Sequence, residues 1–207
     1  MKAMTNVVLS RRQLLKGAGA VGVLGALGIP TTVFADDEEV ELLRWDLVHF
    51  PQGLVLAGGE DIATDAATGD ILTLTGSGEA APKKRMATGG GTYVHMHNGK
   101  VFSQGVYKVA GFKSWKAAGG SLAPTGLADG IGTLAQTTGG LLVLNIVAMA
   151  SPEFGGGSVA AVLGIDCAVP GVEFKIEEGV HLDVLSFHFK QSGGFTLFHV
   201  LHGEHRD

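Results

Sequence analysis

From Glu41 to Leu201 apolar side chains recur at every second position in short runs set off by glycine. That is the period of a strand with one buried face. In Glu41 to Val48, Leu43, Trp45 and Leu47 fall on one face, and Arg44 and Asp46 on the other. In Asp70 to Gly78, Leu72 and Leu74 oppose Ile71, Thr73 and Thr75, after a turn over Asp65 to Asp70. Gly91 to His97 meets Asn98-Gly99 and then Lys100 to Val109. Both turn residues tolerate positive φ, so this is a hairpin signal. Leu141 to Ala148 is apolar throughout and reads as a strand buried on both faces. Ser158 to Val169 is a further strand, turned by Pro170-Gly171. Gly179 to Lys190 reads as one alternating strand, and Gln191 to Gly194 leads into the last, Phe195 to Leu201.

No segment has the period of a long amphipathic helix; Leu127 to Gln136 is the best helical candidate outside the N-terminal region. It lies within a Gly-, Ala- and Thr-rich connection over 116–140, and connections of that length are uncommon unless functional or disordered. The expected fold is all-β: one antiparallel barrel of about eight strands or, as second choice, a β-sandwich. A barrel removes exposed edges. Eight strands leave an interior just wide enough for side chains or one small ligand.

The N-terminus has a different pattern. Ser10-Arg11-Arg12-Gln13-Leu14-Leu15-Lys16 precedes an apolar run, Gly17 to Ile29, then Pro30, Val33-Phe34-Ala35 and the acidic Asp36 to Glu39. This is the order of a secretory signal, and the paired arginines make it resemble a twin-arginine (Tat) signal. Leu14 departs from that pattern, where Phe is commonest. The resemblance implies export by the Tat machinery as a folded protein, in some cases around a cofactor loaded in the cytoplasm. It also implies a periplasmic or extracellular destination. The boundaries read as a signal over 1–35, cleaved after Ala35, and one β domain over 36–207. A 13-residue apolar run falls short of the roughly 20 needed to span a bilayer, so no stable span is expected after cleavage; the alternative is an uncleaved anchor.

The whole chain carries 15 basic and 20 acidic residues, net −5. Losing Lys2, Arg11, Arg12 and Lys16 leaves eleven basic against twenty acidic, net −9. That balance argues against nucleic acid, whose phosphates require Lys and Arg. Lys83-Lys84-Arg85 is the one basic cluster and reads as a solvated turn. The single cysteine, Cys167, allows no intramolecular disulfide, and its apolar neighbours favour a buried structural thiol.

Histidine is the enriched chemical residue, with eight copies. In His95-Met96-His97 the two imidazoles and Tyr93 share one strand face. Such a pair can hold Zn or Cu, with His188 or His199 as third ligand. The opposing reading leaves His95 and His97 on a solvated face. His199, His202 and His205 form a second cluster, read as a last strand with a frayed tail. Glu177-Glu178 is a paired carboxylate; Asp61, Asp65 and Asp70 resemble an acidic calcium-holding loop but lack EF-hand spacing and read as a solvated turn. Ser114 and Ser186 lack nucleophile-elbow context.

Four motifs occur in order: Leu72 to Gly78, Gly89 to His95, Gly111 to Trp115 and Thr196 to Leu201. Together they resemble a group of exported bacterial β-rich proteins of unassigned function. In outline the expected barrel is similar to lipocalin, allene-oxide-cyclase and dirigent barrels. The leading expectation is therefore a non-catalytic exported protein that binds a small apolar ligand or an envelope partner. The alternative is a His-based metal protein using His95, His97, His188 and His199. The third is a cofactor-free cyclase or isomerase with Tyr93, Tyr107 or a lumen histidine as acid–base group.

Overall fold

The computed structural model describes residues 42–201, so the signal region, Asp36 to Glu41, His202 and His205 lie outside the described residues. The strands are β1 (Leu42–His49), β2 (Leu54–Ala57), β3 (Asp61–Asp65), β4 (Ile71–Leu74), β5 (Ser77–Ala81), β6 (Met86–His97), β7 (Lys100–Gly119), β8 (Ala128–Asp129), β9 (Thr137–Ala150), β10 (Ser158–Cys167), β11 (Gly179–Val184), β12 (Phe187–Gly193) and β13 (Phe195–Leu201). The described residues form short 3-10 turns but no α-helix. The fold is all-β, as expected, with thirteen strands rather than about eight.

The larger count has local causes. Gly179 to Lys190 is not one strand but two, broken at Leu185-Ser186, where Leu185 has a φ of 53°. Leu127 to Gln136 is not helical; it holds the two-residue β8 and a 3-10 turn at Leu134–Gln136. The connection expected over 116–140 shrinks to 120–136, because β7 continues to Gly119 and β9 begins at Thr137. In β9, Leu142, Leu144 and Ile146 are buried while Asn145 is exposed, so the strand buries one face rather than two.

Two hydrogen-bonded circuits organise the sheet. From β9 the antiparallel pairings run through β10, β11, β12, β3, β4, β6 and β7 and return to β9. The shorter circuit leaves β9 at Thr137 and Thr138, passes through β13, β1, β5, β6 and β7, and again closes on β9. Eight strands thus surround one end and six the other. β7 bends between the two with register shifts at Val109/Gly111, Phe112/Ser114 and Ala117/Gly119; bulges of this kind sharpen the local twist.

The six-strand end is filled. Leu43, Trp45, Leu47, Leu197 and Phe198 are all buried, and Trp115 meets Phe198 edge-on at 4.9 Å between ring centroids. Gly89, with φ 128°, lets β5 and β6 close over Trp45; a Cβ there would stand 2.7 Å from the indole ring. Strand directions place the turns β3–β4, β6–β7, β9–β10 and β11–β12 together at the eight-strand end. The β6–β7 turn is the predicted Asn98-Gly99 hairpin, with φ of 50° and 73°.

Candidate functional site

Alternation along β4, β6, β7, β9, β10, β11 and β12 turns one side chain in two toward the interior of the eight-strand circuit. There they line a cavity of about 140 Å³. The lining is aliphatic and aromatic except for Tyr93, His95, Ser103 and Tyr107. Near its opening Phe102 is 60% exposed and Leu185 81% exposed.

His95 and His97 do share a partner, and it is Asp70, which begins the β4 side of the β3–β4 turn. His95 Nε2 lies 2.7 Å from Asp70 Oδ2, and His97 Nδ1 lies 2.7 Å from Asp70 Oδ1. Burial pushes the Asp70 carboxyl up, but hydrogen bonds from His95, His97 and Thr68 outweigh it and hold it below the ordinary value. An ionised carboxylate only accepts, so His95 donates through Nε2 and His97 through Nδ1. Asn98 Nδ2 then donates to His97 Nε2, at 2.8 Å. With Nε2 donating to Asp70, the second ring nitrogen of His95, Nδ1, has no hydrogen-bond partner among the described residues. Its ring sits edge-on to Phe102, Phe187 and Phe189, with centroids 5.1 to 5.3 Å away.

The other predicted ligands stand elsewhere. His188 is 70% exposed in its side chain and pairs with Asp183 outside the cavity, at 2.8 Å. His199 is fully buried at the six-strand end, 2.8 Å from Asp129. The structure does not bring either to His95 and His97, because the side chain of His188 alternates outward from Phe187 and Phe189 and that of His199 belongs to β13. Among the described residues no group of three or more His, Cys, Asp or Glu is arranged to hold a metal ion.

The acidic residues have separate duties. Asp65 accepts from the backbone of Ala67, Thr68 and His188 and closes the β3–β4 turn. Glu178 is buried and accepts from the backbone of Ala168 and Thr196, while Glu177 is exposed. Tyr107 is buried and donates to the Thr75 carbonyl at 2.9 Å; burial pushes its phenol far up, so it is a fixed lining group. Burial likewise raises the Cys167 thiol, which touches the Thr196 carbonyl. Lys83, Lys84 and Arg85 are exposed in a turn.

Sequence reasoning missed Ser103 and the role of Asp70. The register places Leu72 beside His95, and His95 across from Ser103. Asp70 precedes β4 by one residue, so a carboxylate within reach of a two-imidazole strand was the readable signal.

Residues 8–28 match the model of the TAT (twin-arginine translocation) pathway signal sequence. The chain therefore carries an address for export across the cytoplasmic membrane. No helix among the described residues is long and apolar enough to cross a membrane. No curated protein and no solved structure matches the chain.

Proposed function

We propose that this chain is an exported barrel protein that holds one small, predominantly apolar molecule inside the eight-strand circuit. In this reading residues 1–35 are removed after Ala35, and the β domain works in the periplasm or outside the cell. The observation that carries it is the cavity, to which seven of the eight strands of the circuit contribute side chains. Binding sites for small molecules are concave and mostly apolar, with a few placed polar groups. An apolar cavity of this size class stays dry and accepts a benzene-sized guest. Leu185 supports the reading, because a bulky residue at φ 53° and 81% exposure is strained and poorly hidden. Such strain gathers at sites of function.

Toluene is a suitable probe, read by saturation-transfer NMR and by thermal unfolding. At ten times its dissociation constant it should stabilise the fold by about 1.4 kcal/mol. Ala161→Phe and, separately, Ala148→Leu should fill the cavity and remove the effect while preserving the β circular dichroism. A wild-type protein indifferent to toluene up to its solubility limit would defeat the proposal.

A further inference from the structure

Five imidazole–carboxylate pairs occur among the described residues, at His95 and His97 with Asp70, His181 with Asp166, His188 with Asp183 and His199 with Asp129. Of their histidines, only His95 lines the cavity. Replacing a buried polar pair by well-packed apolar side chains is often neutral for stability, so packing alone does not account for this one. Ser103 stands directly across the β6–β7 ladder from His95. Directly opposed residues have Cβ atoms roughly 4.5–5.5 Å apart. Tyr93 precedes His95 by two positions, on the same face, and its hydroxyl lies 3.0 Å from Ser103 Oγ. The two hydroxyls share one hydrogen bond, which uses one of their two hydrogens and leaves the other to donate to a ligand. His95, Tyr93 and Ser103 thus line the same otherwise apolar cavity, with one imidazole nitrogen and one hydroxyl hydrogen uncommitted to the hydrogen bonds described.

We propose that His95, Tyr93 and Ser103 form a proton-transfer site for a small apolar ketone or aldehyde bearing a hydrogen on the carbon next to the carbonyl. The proposal rests on the lumen-binding reading above and names its substrate class. His95 Nδ1 takes the proton from that carbon. The C–H electron pair becomes the new C=C bond, and the carbonyl π pair moves onto oxygen, where the free hydroxyl hydrogen of the Tyr93–Ser103 pair stabilises it. The imidazolium returns the proton to the same carbon or, in an unsaturated substrate, to the carbon two positions on, shifting the double bond. Atoms and electrons balance with no cofactor. Asp70 is a positioning residue: it fixes the His95 tautomer and faces the positive charge that forms. That is the role a buried carboxylate plays behind a catalytic imidazole.

The test is α-hydrogen exchange of cyclohexanone in D₂O, followed by proton NMR with the exported protein. We expect exchange about 10²–10⁴-fold faster than with His95→Gln, the range of general acid–base catalysis. Asp70→Asn should slow exchange at least tenfold while cyclohexanone still stabilises the fold. Toluene should suppress exchange competitively, a readout that needs no variant to fold. If cyclohexanone binds but exchange equals that of His95→Gln, or if toluene occupies the cavity without suppressing it, the proton-transfer proposal is overturned and the binding reading stands. If neither molecule binds, both fall together.

Discussion

Asp129→Ala tests how the 120–136 segment is held to the sheet. Asp129 Oδ2 accepts from His199 Nε2 at 2.8 Å, and Oδ1 accepts from the backbone of Ile131 and Gly132 at 2.8 and 3.0 Å. Burial raises the Asp129 carboxyl, and these hydrogen bonds, led by that from His199, more than offset it, so the group stays ionised. Truncation strands the fully buried His199 Nε2–H, at a cost of about 1–3 kcal/mol for an unmade bond. The Ile131 and Gly132 amides regain water in part, adding about 0.5–1 kcal/mol each. The expected loss is therefore about 2–5 kcal/mol, a large share of a domain's net stability. Urea unfolding followed by circular dichroism measures it. Asp129→Asn should be intermediate, since its amide keeps an acceptor for the loop but turns a donor toward His199. Asp183→Ala is the control: its pair with His188 is about as short, but both side chains are some 70% exposed, and exposed pairs contribute about 0–1 kcal/mol. Equal losses for Asp129→Ala and Asp183→Ala would refute the argument that burial, not pairing, sets the cost.

His181 and Cys167 give two further outcomes. The hydrogen bond that His181 Nε2 donates to Asp166 raises the His181 pKa above its ordinary 6.5 despite partial burial. Its stabilisation is thus complete below about pH 6.5 and fades as pH rises through the folded-state value. His181→Gln should accordingly cost more in urea unfolding at pH 5.5 than at pH 9, and a pH-independent cost would contradict the assignment. Cys167, buried with its thiol raised, should resist a thiol-labelling disulfide reagent in the native state and react only on unfolding; prompt native labelling would count against a structural thiol.

Much of the strand pattern was legible because period-2 alternation reports burial directly. Leu43, Trp45 and Leu47 are all fully buried, and Asn98-Gly99 makes the hairpin its composition demands. The Phe195–Leu201 strand is also where the alternation put it. The break at Leu185-Ser186 was illegible because Leu is a poor turn former; local propensity yields there to the β11–β12 pairing. β9 misled because a continuous apolar run does not say how thickly each face is covered. At the site, the alternation rule put His95 and His97 on one face, and both do reach one carboxylate. Their partner lay in the cross-strand register, which one strand's sequence does not encode. His188 and His199 looked equivalent by residue type, but strand alternation and a distant loop assign them to different neighbours.

The taper from eight strands to six gives the molecule a direction. With Trp45, Phe198 and the Asp129–His199 contact stopping the narrow end, anything that enters past Phe102 and Leu185 must leave by the same door. If the proposed binding holds, such a vessel does not conduct its guest from one side to the other. It takes up, holds or alters, and hands back, so supplier and receiver would come, in turn, to the same rim.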